Sequence, residues 1–132
     1  MDFTISSPQE YKRQRSIWER ADQIARKNGT NLDWTEHPEE AASGADIIYT
    51  DVWVSMGDEK EEFKRLEAFK GFQVNEDLMK HAKTDAIFMH DMPAHRGEEV
   101  TAGMLEHERA VIFDQAENRL HGQKAIIHDL FS

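Results

Sequence analysis

Three short apolar runs, each set off from the next by a polar stretch with helical spacing, limit this chain's fold more than any other feature. Asp46 to Asp51, Asp85 to His90 and Ala110 to Asp114 read as buried strands. Between the first two lie a helix predicted over Asp58 to Lys70, with Phe63, Leu66 and Phe69 at helix spacing and Gly71 ending it, and a shorter one, Glu76 to Lys83, capped by Asn75. Another is predicted from Thr101 towards His107, and the last, about Ala116 to Leu130, turns Leu120, Ala125, Ile126 and Leu130 inward. Strands that alternate with helices pair in parallel through right-handed crossovers. Two more strands precede these: Asp2 to Ser6 and the polar, edge-like Asn31 to Glu36. Ser7-Pro8-Gln9-Glu10 has the form of a capping box for a helix carrying Tyr11, Trp18, Ala21, Ile24 and Ala25 on one face, stopped at Asn28-Gly29. A brief helix, Pro38 to Ala42, closes at Gly44. The expected fold is one α/β domain over residues 1–132, a three-layer sandwich around a five-stranded parallel sheet.

Charge removes one class of partner. With 16 Lys and Arg against 26 Asp and Glu, the net charge is -10. A nucleic-acid surface needs a basic face, so none is expected. There are no cysteines, hence no disulfide framework and no thiolate chemistry. No stretch approaches the ~18 apolar residues of a membrane helix, and the amino terminus lacks a signal pattern. A cytoplasmic protein without membrane contact is the expectation.

Candidate chemistry sits where two of the buried strands end. Asp51-Val-Trp-Val-Ser-Met-Gly57 brings an acid, Ser55 and a Gly out of the first buried strand. In parallel α/β sheets the carboxyl edge is where ligands bind, and a carboxylate there suits an amine. The plainer reading makes Asp51 and Ser55 caps and Gly57 a turn residue. His90-Asp91-Met-Pro-Ala-His-Arg-Gly-Glu-Glu99 leaves the next strand in the same way. His90, Asp91 and His95 are metal-ligand types, but their spacing matches no recognisable site, so no metal is assigned. Arg119 stands near the expected start of the last helix, where the dipole disfavours a cation unless an anion is shared with the backbone amides. A surface ion pair with Glu117 or Glu98 explains it as well.

Three stretches together carry a resemblance: Asp-x-x-x-Ser-Met-Gly at 51 to 57, His-x-x-Pro-Ala-His-Arg-Gly-Glu-Glu-Val-Thr at 90 to 101, and Phe-Asp-Gln-Ala-Glu-Asn-Arg-Leu-His-Gly-Gln-Lys-Ala at 113 to 125. From about Ile5 onward the chain resembles the carboxy-terminal, ornithine-binding domain of ornithine carbamoyltransferase. The resemblance implies a Rossmann-like fold, a small-molecule substrate and no cofactor. It assigns Asp51, Ser55 and Met56 to ornithine, Asp91 and Met92 to the turn that touches the carbamoyl group and the amine, and Arg119 to carbamoyl phosphate. Among these, Asp91 and Arg119 stand at the catalytic positions.

Two departures matter. The phosphate loop and the rest of a carbamoyl phosphate domain are missing, so that ligand is expected only with a further domain and the chain is expected to be inactive alone. The second domain's first strand and helix are missing too. Closing that gap predicts a flavodoxin-like strand order of 2-1-3-4-5. At residue 91 the family carries Cys where this chain has Asp. A monomer or weak dimer is expected, associating near Trp53 and Met92. The alternative reading is a stand-alone module that binds a cationic amino acid or amine, or a structural or engineered scaffold.

Overall fold

The computed structural model describes residues 1–55, 57 and 59–132. Its elements run β1 (Phe3–Ser6), α1 (Arg15–Lys27), β2 (Leu32–Thr35), α2 (Pro38–Ala42), β3 (Ile47–Thr50), α3 (Glu62–Ala68), α4 (Glu76–Met79), β4 (Ile87–His90) and α5 (Ile112–Phe131), with 3-10 turns at Gln9–Tyr11, Glu59–Glu61 and Gly103–Glu106. Both strand pairs are parallel. Phe3 to Ser6 lie opposite Leu32 to Thr35, and Ile47 to Thr50 lie opposite Ile87 to His90.

The single five-stranded sheet is not what these pairs make. Among the described residues there are two separate two-stranded sheets, β1-β2 and β3-β4. The expected neighbours 2-1 and 3-4 are present, but β1 does not pair with β3. The expected fifth strand, Ala110 to Asp114, is a single parallel bridge between Ala110 and Phe88. Phe88 N–H donates to the Arg109 carbonyl at 2.8 Å, and Val111 N–H to the Phe88 carbonyl at 2.9 Å. The chain then coils at once into α5, because the core needs the fully buried Ile112 as the helix's first residue.

That core surrounds β4. Phe88, Met79, Val100, Met104 and Ile112 are fully buried with Val74 and Leu105, and Ile48, Leu78, Ala94 and Ala110 pack on them. Asn75 caps α4 as its sequence predicts, accepting from Leu78 N–H at 2.8 Å. Among the described residues the β1-β2 side has no comparable cluster, and α1 buries no residue fully.

Three local expectations fail for identifiable reasons. Ser7 does not cap a helix: its hydroxyl accepts from the Trp34 indole N–H at 2.9 Å, and Lys12 to Gln14 are extended before α1 begins at Arg15. A tertiary partner on β2 has outcompeted the local cap. Phe63, at helix spacing with Leu66 and Phe69, is 83 % exposed. In α5 the residues expected inward, Leu120, Ala125, Ile126 and Leu130, are exposed, together with Phe131. Their spacing marks a helix face that requires cover, and nothing described in this chain covers it. No helix among the described residues is long and apolar enough to cross a membrane.

Candidate functional site

The register of β3 and β4 brings the two candidate loops together. Thr50 pairs with His90, so Asp51 and Asp91 are the first residues past the paired ends of adjacent parallel strands. Beside them opens a cavity of about 590 Å³, lined on one side by Ser6, Tyr11 and Lys12 and on the other by Thr50, Asp51, Trp53 and Arg65. Phe69 stacks on Trp53 at 5.8 Å between ring centres and meets Tyr11 at 5.2 Å, giving this cavity an aromatic wall. Asp51 is exposed, and its Oδ1 accepts from the Val52 N–H at 2.7 Å.

Arg65 went unnoticed in the sequence. It follows Phe63 on a stretch whose period announced only a packing helix. In the fold its Nη1 donates to the Trp53 carbonyl at 3.5 Å, its guanidinium lies 5.1 Å from the Tyr11 ring centre, and Glu61 is 3.8 Å away. A cation and the Asp51 carboxylate thus border one cavity.

The turn after β4 is held from beneath. His90 and Glu99 are both fully buried. Nδ1 of His90 accepts from the Met92 N–H at 2.9 Å, which leaves Nε2 to donate to Glu99 Oε1 at 3.2 Å. The tautomer follows from this network. Oε1 of Glu99 also accepts the His95 N–H at 2.5 Å, and the backbone N–H of His90 donates to the Gln115 side chain at 3.1 Å. The His90–Glu99 bond therefore closes the turn across nine residues. Met92 sits above it at φ 56°, a left-handed conformation rare for a residue with a side chain, and Met92–Pro93 is cis. A positive φ at a residue with a side chain is retained where its surroundings over-determine it.

Arg96 staples the same loop at the surface. It donates through two nitrogens to both Glu106 oxygens, at 2.6 and 3.0 Å, and to the Ala102 carbonyl at 2.9 Å. Hydrogen bonding to Arg96 holds the Glu106 carboxyl below its ordinary value. A depressed acid contributes stability above its unfolded pKa and loses it as pH falls through the folded one. Accordingly Glu106→Gln should lower the melting temperature slightly at pH 7, and the difference from the parent should vanish as the pH is brought below the usual Glu range. A melting series from pH 7 to 3 checks both ends.

The remaining predicted residues are dispersed. Ser55 is exposed and does not line the cavity; Met56 lies outside the described residues. Asp91 and Met92 share the edge with Asp51 without lining that cavity. Arg119 is exposed, about two turns into α5 rather than at its start, so it shares no anion with the helix's first amides. His95, Glu98 and Glu99 bring one potential metal-ligand atom each within 4.8 Å of one another. Hydrogen bonding within the turn accounts for that grouping: His95 Nδ1 faces Glu98 at 3.5 Å, and Glu99 Oε1 already serves two donors.

Parallel strands with adjacent carboxyl ends opening on a polar cavity define an α/β ligand-binding domain. Over residues 1–130 the chain matches the model of the aspartate/ornithine carbamoyltransferase Asp/Orn-binding domain, and it belongs to that family. It is 47% identical over 131 residues to the catabolic ornithine carbamoyltransferase of Thermoplasma acidophilum, spanning 99% of this chain and 43% of that protein. The anabolic enzyme of Campylobacter jejuni superposes with a TM-score of 0.92 at 38% identity, covering 98% of this chain and 43% of that one. For the Pyrococcus furiosus ornithine carbamoyltransferase the TM-score is 0.88 at 47% identity, with coverages of 96% and 40%. The α/β fold is that of these enzymes. The chain spans well under half the length of the relatives it matches.

Proposed function

We propose that this chain is the ornithine-binding portion of an ornithine carbamoyltransferase and makes citrulline only when the remainder of such an enzyme is present. In the full reaction the δ-amine nitrogen attacks the carbonyl carbon of carbamoyl phosphate. The bond from that carbon to the phosphate oxygen breaks, phosphate leaves with the electron pair, and the amine nitrogen loses a proton. The observation that carries the reading is the Thr50–His90 pairing, which sets the two motif-bearing loops side by side. Asp51 is assigned to an ornithine ammonium, with Ser55, Met56 and Met92 as further contacts. Arg65, bordering the same cavity, suits the ornithine carboxylate. Asp91 stands where the amine and carbamoyl groups meet, and Arg119 is assigned to carbamoyl phosphate supplied with the missing portion.

Two assays separate the outcomes. The purified chain alone should form no citrulline from ornithine and carbamoyl phosphate above the uncatalysed rate. Adding the portion of the P. furiosus enzyme that this chain does not match, as a separate polypeptide, should produce citrulline. Turnover by the chain alone overturns the need for a second part. Calorimetric binding of ornithine with no citrulline from the mixture leaves a binding module instead.

A further inference from the structure

We infer that Gln115 is a positioning residue: its side chain fixes the first turn of α5 to the carboxyl ends of β3 and β4, and through that helix it holds Arg119 beside the turn that begins at Asp91. The inference rests on the proposed function only for what Arg119 meets there, the phosphate of carbamoyl phosphate; the docking of the helix is read from the fold.

The need for Gln115 arises where the strand ladder stops. Phe88 N–H donates to the Arg109 carbonyl and Val111 N–H to the Phe88 carbonyl, so in a continued parallel ladder His90 N–H would take the Val111 carbonyl. That carbonyl is already engaged, because α5 has begun and the Gln115 backbone N–H donates to it at 2.8 Å. Gln115 returns the bond through its side chain, whose Oε1 accepts the His90 N–H at 3.1 Å. Its Nε2 donates to the Tyr49 hydroxyl at 3.4 Å. One half-buried amide thus joins the helix to the last residue of β4 and the penultimate residue of β3. With both ends of a planar amide in use, the helix cannot turn about its axis without breaking a bond.

The place of Arg119 follows from that anchor. Ala110 lies beside Phe88 and Gln115 reaches His90, so α5 advances in the direction of β4 and its next turn passes the carboxyl edge. Residues four apart share a helix face, about 6 Å apart along the axis. Arg119 therefore stands on the face that Gln115 presents to the strand ends. Its charge is not spent on the acids expected to pair with it. Glu117 bonds His121 at 3.2 Å and Glu98 faces His95 at 3.5 Å. That leaves the guanidinium for an anion from outside the chain.

The chain has no cysteine, so Arg119→Cys carries a single nitroxide label whose broadening of backbone amide signals reports how near residue 119 stays to the strand ends. The Asp91 and Met92 signals should be broadened. Gln115→Met, which keeps the side chain's length and loses both bonds, should weaken that broadening and speed hydrogen exchange at the His90 amide. In the mixture with the unmatched portion of the P. furiosus enzyme, Gln115→Met with Arg119 intact should raise KM for carbamoyl phosphate about tenfold, the lower end of what a hydrogen bond to a charged group contributes. KM for ornithine should stay where it is. In an Arg119→Ala background the substitution should add nothing, as expected of two residues that act as one. Unchanged broadening, an equal rise in both KM values, no rise in either, or the same penalty without Arg119 would each overturn the inference. Where Gln115→Met does not fold, Tyr49→Phe, which cuts the longer end of the bridge, carries the same readings. No citrulline from the parent mixture sinks the enzyme reading alone, and the label then decides by itself whether Gln115 sets the helix.

Discussion

Glu99→Ala should cost about 2–6 kcal/mol of folding stability, the loss expected when two buried donors are left without an acceptor. The side chains of Glu99 and His90 are both fully buried. Truncation takes away the acceptor of two donors at once, His90 Nε2–H and the His95 backbone N–H. Each donor left unpaired costs about 1–3 kcal/mol. Against a typical total of about 5–15 kcal/mol the loss is large. The measurement is a denaturant midpoint at unchanged slope. Glu99→Gln should lose less, because the amide oxygen keeps both donors; the new NH2 takes the place of Oε2, which has no hydrogen-bond partner. If Glu99→Ala unfolds within about 1 kcal/mol of the parent, well below the usual buried-pair loss, the pair does not hold the turn.

The same pair explains why much of the site was legible in sequence and some was not. β3 and β4 announced themselves as apolar runs followed by acids, and parallel pairing then required Asp51 and Asp91 to share an edge. Asn75 was legible as a cap because its partner, Leu78 N–H, is three residues away. Glu99 was visible only as part of a motif, since its partner His90 is nine residues off and both vanish into the core. Ser7 was misread because the competitor for its hydroxyl, Trp34, lies on another strand. Arg65 could not be singled out, because the Trp53 carbonyl to which it donates lies twelve residues away in the sequence.

The divided sheet and the bare face of α5 share a cause. Periodicity reports which residues want cover, not whether the cover is in the same chain. Leu120, Ile126 and Leu130 keep helical spacing, and Phe3 and Ile47 keep strand character, yet all remain exposed. The core is gathered around β4 and α4, and β1-β2 meets the rest through α2 and the aromatic wall.

If the proposed function holds and the unmatched portion of a relative is supplied, Asp91→Cys should raise the citrulline rate about tenfold near neutral pH, one pKa unit's worth. The attacking δ-amine must be neutral, and a carboxylate beside it favours the ammonium form. The same charge repels the phosphate that leaves. Asp91 is 44% exposed on its side chain, so solvent screens these effects and holds them to a modest factor. Sign follows from the equilibrium. A nearby carboxylate raises the amine's pKa, so below that pKa each unit removes tenfold of the reactive form, and above it the loss disappears. The ratio of kcat/KM between Asp91→Cys and the parent should therefore be largest at pH 7 and shrink as pH rises through the amine's own titration. Asp91→Asn, which removes the charge without adding a thiol, should reproduce the pH-dependent part. A ratio near one at every pH would show that Asp91 points away from the reacting amine. A rate lower than the parent's for both variants would make Asp91 a working group of this chain, one that orients the amine rather than opposing it.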